Sequence, residues 1–255
     1  MGKTNLDLTG KKALVTGGSR GLGMAIAKAM AMNGAEVVVC GRKQENLDQA
    51  VEDFKKEDLD LTGIAANIGQ SEQVKALFEA VDERFGRLDI LVNNVGMNIL
   101  TPSVVGVDEG LWDKIIDTNL KGAFLVSSQA VPLMKKSGVG KIINISSTAA
   151  KRASAGMGIY CIAKAGLEML TKVLAVELAQ DKINVNAVAP GVVMTKFSQP
   201  FWSNESLLKQ IEGGIPFGRI AKTEDVVGTV MYLASGLSEF VTGEVITVDG
   251  GSMAR

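Results

Sequence analysis

The sequence contains no histidine among its 255 residues. Catalytic sites of the Ser-His-Asp and Cys-His types are therefore excluded, and so are zinc sites with histidine ligands. The two cysteines, Cys40 and Cys161, are too few for a four-cysteine metal site. We interpret both as small buried side chains, and we expect no bound metal.

A surplus of one charge is also missing. The chain has 27 basic and 28 acidic residues, so its charge does not favour binding to nucleic acid. It has no run of about 18 apolar residues that could span a membrane. Residues 1–7 lack the apolar centre of a signal peptide. We expect a cytoplasmic protein that binds neither nucleic acid nor membrane.

The sequence does have a regular alternation of short apolar runs with longer segments of helical periodicity. This predicts an α/β protein with a single Rossmann-like, doubly wound, mostly parallel sheet of about seven strands and helices on both faces. A TIM barrel would need eight βα units and a late phosphate site. We expect residues 1–255 to form one domain. The predicted strands are Ala13–Thr16, Glu36–Cys40, Thr62–Ala66, Leu88–Val92, Lys141–Ser147, Lys182–Val188 and Val245–Val248. Two of the predicted helices are Ser71–Phe85, capped by Ser71, and Asp108–Met134.

A glycine-rich turn, Gly17-Gly18-Ser19-Arg20-Gly21-Leu22-Gly23, joins the first predicted strand to the first helix. The second strand follows within about thirty residues, as a dinucleotide-binding unit requires. Glycines let the backbone approach a pyrophosphate, and the helix N-terminus attracts its charge. The spacing differs from G-x-G-x-x-G, so the position of the turn between strand and helix carries the nucleotide hypothesis.

Gly41-Arg42-Lys43 follows the second predicted strand, at the place where NAD-binding proteins carry an acid that binds the ribose 2′-hydroxyl. A carboxylate would repel a 2′-phosphate, whereas Arg42 would pair with it in a bidentate manner. Arg20 in the glycine turn would add a second positive charge. The sequence therefore predicts NADP(H) as the cofactor.

The strand at Lys141–Ser147 and the helix that begins at Tyr160 carry groups suited to proton transfer. Tyr160 and Lys164 are separated by one helical turn and share one face. An adjacent ammonium favours the phenolate form of a tyrosine. Ser147 falls at the carboxyl end of its strand, where open α/β sheets place their ligands. We interpret these residues as a site that exchanges protons with a carbonyl oxygen.

With these motifs in place, essentially the whole chain resembles the short-chain dehydrogenase/reductase family. Residues 16–23 match the family's T-G-x-x-x-G-x-G loop, and Asn93-Asn94-Val95-Gly96 is similar to N-N-A-G. Pro190–Thr195 matches P-G-x-[IV]-x-T, which in the family holds the nicotinamide carboxamide. The family's catalytic tetrad falls on Asn119, Ser147, Tyr160 and Lys164.

The resemblance implies a role for each member of the tetrad. Tyr160 exchanges a proton with the substrate oxygen, and Ser147 hydrogen-bonds that oxygen. Lys164 binds the nicotinamide ribose and lowers the pKa of Tyr160, while Asn119 positions a water. The implied activity is NADP(H)-dependent interconversion of a ketone or aldehyde and an alcohol, as in a carbonyl reductase or short-chain alcohol dehydrogenase.

The expected cofactor contacts combine the glycine turn, the basic residues and the family motifs. Asn67-Ile68 stands where the family often has Asp-Val to receive adenine, and we carry that role over. The expected contacts are Gly17, Ser19, Arg20, Gly21, Leu22, Gly23, Arg42, Lys43, Asn67, Ile68, Asn94, Gly96, Tyr160, Lys164, Pro190, Gly191, Val193 and Thr195.

A substrate lid is expected around residues 195–213, and its aromatic residues favour an apolar carbonyl compound over a sugar. Packing of this loop on the core or on a second subunit explains its composition equally well. Met97, Asn98, Met157 and Met194 are further pocket candidates. Lys151 and Arg152 would suit an anionic substrate, but as a pair they are better explained as facing solvent.

Other activities share these motifs. The nearest alternative is a 3-oxoacyl-acyl-carrier-protein reductase, which would need basic residues to dock an acidic carrier. Sugar and hydroxysteroid dehydrogenases, and a non-catalytic nucleotide-binding protein, are further alternatives. The resemblance also implies a homotetramer, with a dimer as the other option, paired through the helices at Asp108–Met134 and Tyr160–Gln180.

Overall fold

The computed structural model describes residues 6–254. Residues 1–5, most of the segment expected to lack a signal peptide, and residue 255 lie outside the described residues. Seven strands form one parallel sheet in the order β3-β2-β1-β4-β5-β6-β7. The strands are β1 Lys12–Thr16, β2 Glu36–Gly41, β3 Leu61–Ala65, β4 Ile90–Asn93, β5 Gly140–Ile145, β6 Ile183–Pro190 and β7 Val245–Val248.

Helices cover both faces of the sheet, which confirms the predicted fold class. One core packs α1, α2 and α9 on the sheet, and the other packs α3, α5 and α6 on the opposite face. No helix in the described part of the chain is long and apolar enough to cross a bilayer. The helices are α1 Gly21–Met32, α2 Gln44–Lys55, α3 Ser71–Phe85, α4 Glu109–Ile116, α5 Gly122–Ser137, α6 Gly158–Glu177, α7 Gln199–Trp202, α8 Glu205–Gly213 and α9 Thr223–Ala234.

The strands are apolar at successive positions because both faces of the sheet are covered. In β1, Leu14 packs in the core of α3, α5 and α6, while Val15 packs in the core of α1, α2 and α9. Side chains alternate between faces along a strand. The short apolar run of β1 therefore contributes side chains to both cores. The loops at the strand ends can form a site.

Two local predictions were wrong. Ser71 is the first residue of α3 rather than its cap; Gln70 occupies the cap position and makes no side-chain capping bond. The helix predicted at Asp108–Met134 is interrupted by a π-helical turn at Asp117–Lys121, between α4 and α5. Such turns add a residue to the helical repeat and often occur at functional sites. Here the turn contains Asn119.

Candidate active site

A cleft of about 1670 Å³ opens at the carboxyl ends of the strands. Its walls come from the segments that follow β1 to β6 and from the C-terminal turn. The strand order reverses direction between β1 and β4, and open α/β sheets bind ligands in the crevice at this kind of switch point. Every residue predicted for catalysis or cofactor binding lines the cleft except Asn119.

The glycine turn fits closely against the end of β4. Gly17 has a φ of +67°, a conformation that glycine adopts without steric cost. The Asn94 amide donates hydrogen bonds to the carbonyl oxygens of Thr16 at 2.9 Å and Gly17 at 3.3 Å. A Cβ on Gly23 would overlap both this amide and the Gly17 carbonyl oxygen. The missing side chains therefore let the start of α1, the turn and β4 meet at the edge of the cleft.

Three cations stand at the β1–β2 end of the cleft. Arg20 precedes α1, and Arg42 and Lys43 follow β2; all three side chains are exposed and line the cleft. None of them forms a salt bridge with another described residue. Ser19 approaches the same place, with its Oγ 3.6 Å from the position that a Cβ on Gly41 would occupy. These groups form a cationic pocket that suits a phosphate dianion.

Asn67 and Ile68 lie beyond β3 on the wall of the cleft. The Asn67 Oδ1 accepts a hydrogen bond from the Gly69 backbone at 3.2 Å, and the Asn67 backbone N–H donates to Gln73 Oε1 at 2.7 Å. Ile68 is buried. The pair thus presents an ordered turn with an apolar neighbour on the wall of the cleft.

Ser147 and Tyr160 meet beside the end of β5. Ser147 lies two residues beyond the end of the strand, and its Oγ accepts a hydrogen bond from the Ala149 backbone at 3.2 Å. Tyr160 lies in the first turn of α6 and is largely buried. Burial raises the pKa of Tyr160 to about 12, although a hydrogen bond with Ser147 acts in the opposite direction. The phenol is therefore held in its protonated form next to the serine hydroxyl.

Lys164 is only 2% exposed. Its Nζ donates a hydrogen bond to the Ile145 carbonyl oxygen at 2.8 Å and lies 5.7 Å from the centre of the Tyr160 ring. Burial lowers the pKa of Lys164 to about 8. Burial is the largest cause of the raised pKa of Tyr160, and the lowering of that pKa by Lys164 stays a prediction.

Asn119 lies behind the wall of the cleft and is 1% exposed. Its Nδ2 donates to the carbonyl oxygens of Met97 and Ile115, both at 2.8 Å, and its Oδ1 accepts from the Met97 backbone at 3.0 Å. A Cβ on Gly96 would lie 3.4 Å from Asn119 Oδ1 and 3.7 Å from Lys164 Nζ. Asn119 and Lys164 therefore both lie close to Gly96. The π-helical turn holds Asn119 in this position.

The segment after β6 forms the opposite wall. Pro190, Gly191, Val193 and Thr195 line the cleft, and the Thr195 backbone N–H donates to Ser198 Oγ at 3.2 Å. The centre of the Phe197 ring lies 6.3 Å from the centre of the Tyr160 ring. Within the segment predicted as a lid, Phe197, Phe201 and Ile211 line the cleft.

Some of the predicted pocket residues lie elsewhere. Met97, Asn98 and Met157 line the cleft, but Met194 does not and its side chain is exposed. Trp202 also lies outside the lining; its Nε1 donates to Ser198 Oγ at 3.0 Å and anchors α7. An aromatic composition alone does not distinguish residues that face a ligand from residues that hold a loop in place.

The C-terminal turn was not predicted as part of the site. Asp249, Gly250, Ser252 and Met253 line the cleft. Asp249 accepts hydrogen bonds from the Gly251 backbone at 3.0 Å, the Ser252 hydroxyl at 2.9 Å and the Met253 backbone at 2.8 Å. The Asp-Gly-Gly stretch indicates a turn directly after the last strand. Because a residue after a parallel strand lies at the carboxyl edge of the sheet, this stretch was the signal that could have placed the turn at the site.

Comparison with known proteins agrees with this geometry. Residues 17–253 match a protein-family model described as enoyl-(acyl carrier protein) reductase. The chain is 39% identical to human dehydrogenase/reductase SDR family member 4 over 255 residues, which cover all of this chain and 92% of the relative.

Solved structures show the same fold over nearly the whole chain. A putative gluconate dehydrogenase from Agrobacterium tumefaciens has a TM-score of 0.95 and 35% identity, with 98% of both chains covered. A gluconate 5-dehydrogenase from Burkholderia cenocepacia, solved in complex with NADP and tartrate, has a TM-score of 0.93 and 30% identity, again with 98% of both chains covered. Together, these similarities show that the chain belongs to the short-chain dehydrogenase/reductase family of oxidoreductases.

Proposed function

We propose that the protein is an NADP(H)-dependent enzyme that interconverts a ketone or aldehyde and an alcohol. The observation that carries this proposal is the meeting of Ser147, Tyr160 and Lys164 at the end of β5, on one wall of the cleft that the glycine turn also lines. A hydroxyl, a phenol and a buried ammonium at this place suit proton exchange with a carbonyl oxygen. The enzyme forms one domain, and α7 and α8 serve as its substrate lid.

NADP(H) is the cofactor that fits the residues present. The glycine turn and the start of α1 line the cleft, and a helix N-terminus suits a pyrophosphate. Arg42, Arg20 and Lys43 supply positive charge for a 2′-phosphate, and no acid stands at Gly41 to take up a ribose hydroxyl instead. Two of the similar solved structures are described with NADP bound, which supports the same choice.

The catalytic roles follow from the positions of the side chains. The bound nicotinamide would supply or accept the hydride. Ser147 would hold the substrate oxygen, and Tyr160 would donate its phenolic proton to that oxygen during reduction or accept a proton during oxidation. Lys164 would hold the nicotinamide ribose and stabilise the phenolate, while Asn119 would position a water next to Lys164. Charge that develops on the oxygen would thus meet a donor already in place.

Substitution of Tyr160 by Phe tests this assignment. We expect Tyr160→Phe to lose nearly all NADPH-dependent reduction of ketones, because the proton donor is gone, while NADPH binding persists. Turnover and cofactor fluorescence titration measure the two effects separately. Tyr232→Phe is the matched control, since Tyr232 lies on α9 away from the cleft. Retention of turnover in Tyr160→Phe would refute the role of Tyr160.

A carrier-protein substrate is the second candidate, because the matching family model is described as a carrier-protein reductase. Such an enzyme would need basic residues just before β5, and the two lysines found there, Lys135 and Lys136, are already paired within the chain. Lys135 contacts Asp181 at 2.8 Å, and Lys136 contacts Asp82 at 2.8 Å. This supports a small-molecule substrate. If the enzyme reduces ketones but not acetoacetyl thioesters, the result would support a small-molecule substrate over a carrier protein.

The proposed assembly is a homotetramer in the cytoplasm. Apolar side chains are exposed along α6, at Ile162, Met169, Val173 and Val176, and on α5 at Phe124. Exposed apolar surface of this kind is typical of a face that pairs with another subunit. Light scattering after size-exclusion chromatography would give the mass of the assembly. A monomer would contradict the proposal.

A further inference from the structure

The cleft carries far more positive than negative charge. Among the described residues that line it, Asp225 and Asp249 are the acidic ones. Asp225 binds Arg219 through two contacts of 2.6 and 2.8 Å, and Asp249 accepts three hydrogen bonds from its own turn. Both carboxylates are therefore already paired within the chain. The basic lining residues are Arg20, Arg42, Lys43, Lys114, Arg152, Lys164, Lys196 and Arg219.

Arg152 stands apart from the cations that the cofactor would use. It follows Ser147 on the loop between β5 and α6, whereas Arg42 follows β2. Three strand spacings separate β2 from β5, so the ends of these strands are roughly 14 Å apart. Arg152 therefore adds positive charge on the substrate side of the cleft, next to the residues of the proposed proton transfer.

The neighbouring cations Lys151 and Arg152 are both exposed, but only Arg152 lines the cleft. Lys151 lies outside the cleft lining, and its Nζ donates to Thr247 Oγ1 at 2.7 Å. Arg152 lines the cleft. Its backbone N–H donates to the Thr148 carbonyl oxygen at 3.1 Å, which fixes the start of the side chain. Its guanidinium has no hydrogen-bond or salt-bridge partner among residues 6–254.

A second lining residue also has an unused polar atom. Asn98 Oδ1 is buried and accepts no hydrogen bond from the described residues. Asn98 follows Met97, whose backbone is held by Asn119. A buried acceptor is stabilised by a donor, and a hydroxyl on a substrate supplies one. An entirely apolar substrate would supply neither this donor nor a partner for Arg152.

We propose that Arg152 binds the carboxylate of the substrate, so that the enzyme acts on a hydroxy acid and the matching keto acid. This rests on the proposed function. A guanidinium matches a carboxylate in both charge and bidentate geometry. In the oxidative direction, a bound oxidised nicotinamide would accept the hydride of the carbinol C–H bond. The hydroxyl proton passes to the phenolate form of Tyr160, which becomes the phenol, and the carbon–oxygen double bond forms. Arg152 takes no part in these bond changes and determines which substrate is held.

Matched pairs of acids and esters test the role of Arg152. The probes are pyruvate, acetoacetate and 4-oxopentanoate, each compared with its methyl ester as an NADPH-dependent substrate. We expect the wild type to prefer at least one acid over its ester. We expect Arg152→Gln to lower that ratio of kcat/KM by at least about tenfold, as for loss of a hydrogen-bonded charge pair. Most of the loss should appear in KM, and Arg152→Lys should restore part of the preference.

Lys151→Gln is the matched control, because it removes the same charge one residue away and outside the cleft. We expect it to keep the ratio of acid to ester within about twofold, since Lys151 lies outside the cleft lining and salt screens its charge over that distance. Equal losses in Lys151→Gln and Arg152→Gln would overturn the proposal, as would an unchanged ratio in Arg152→Gln. Reduction of the esters by a wild type without any preference for acids would overturn the role of Arg152 but leave the proposed function intact. Turnover of no carbonyl or alcohol would overturn both.

Discussion

Lys164 lies one helical turn beyond Tyr160, with its ammonium nitrogen 5.7 Å from the centre of the tyrosine ring. The pKa shifts of both side chains favour their neutral forms. Burial lowers the pKa of Lys164 to about 8 and raises the pKa of Tyr160 to about 12. The charged pair, phenolate and ammonium, is therefore not the resting state of this site. The charged pair would be favoured by a ligand that hydrogen-bonds Lys164 through hydroxyl groups and places positive charge in the cleft.

The pKa of Lys164 makes the stability of the cofactor-free protein depend on pH. The ordinary pKa of lysine is 10.5, so between pH 8 and 10.5 the unfolded chain binds more protons at this residue than the folded chain. Stability therefore rises with pH in this window. Above pH 10 Tyr160 acts in the opposite direction, because its folded pKa is the higher one. We expect the wild type to gain roughly 1–2 kcal/mol more than Lys164→Met between pH 7.5 and 9.5. Urea unfolding measures both gains; equal gains would contradict the shifted pKa.

Reversal of charge at Arg42 tests the cofactor preference. We expect Arg42→Asp to weaken NADPH binding by about 10- to 100-fold, because a hydrogen-bonded charge pair is replaced by repulsion. NADH has no 2′-phosphate, and its affinity should change less than about threefold. Fluorescence titration with both cofactors gives the two values. Lys75→Asp on α3 is the control, since Lys75 is exposed and lies outside the cleft lining. Equal weakening of both cofactors would remove the 2′-phosphate role of Arg42.

The sequence predicted the sheet and the loops around it because both depend on local patterns. Short apolar runs form strands covered on both faces, and parallel strands bring their carboxyl ends to one edge. The position of Asn119 was not predictable in this way. A π-helical turn leaves no periodic signature that distinguishes it from one long helix, so the structure was needed to show Asn119 behind Gly96.

Long-range contacts explain the remaining differences. Lys151 and Arg152 are adjacent in the sequence, and only the position of Thr247 on β7 explains why Lys151 turns away from the cleft. Likewise, Trp202 and Phe201 are neighbours, but the bond to Ser198 holds Trp202 away from the cleft that Phe201 lines. Composition predicts that such residues gather near a site. Tertiary contacts decide which of them faces it.

Two glycines in helices are expected to respond to alanine in opposite ways. A Cβ on Gly23 would overlap the Asn94 amide and the Gly17 carbonyl oxygen, so Gly23→Ala should displace the glycine turn and weaken NADPH binding. Overpacking of this kind costs about 1–3 kcal/mol of stability. Gly228 is exposed on α9, and a Cβ there would have no neighbour within 4 Å. Gly228→Ala should therefore add about 0.5–1 kcal/mol. Denaturant unfolding distinguishes the two; a stable Gly23→Ala that binds NADPH normally would contradict the close fit.

Glu168 connects the helix of Tyr160 and Lys164 to the end of β5. The Ser146 hydroxyl donates to Glu168 Oε1 at 3.0 Å, and the Ser146 backbone N–H donates to the Val188 carbonyl oxygen at 2.7 Å. Ser146 precedes Ser147, so this bond would help to set the distance between Ser147 and Tyr160. We expect Glu168→Ala to lower kcat about 3- to 10-fold with little change in the KM for NADPH, because misplacement of a positioned group slows the chemical step. Glu177→Ala, at the exposed end of α6, is the control.

A double-mutant cycle separates this positioning role from a general loss of stability. Ser146→Ala alone should reproduce the loss in kcat, and the double variant should be no slower than Glu168→Ala, because both changes remove the same bond. Glu168→Gln keeps an oxygen that accepts from Ser146 and should recover most of the activity. Independent, multiplicative losses in the double variant would show that Glu168 and Ser146 act separately. Failure of Glu168→Gln to recover activity would show that the charge of Glu168, rather than its hydrogen bond, supports the site.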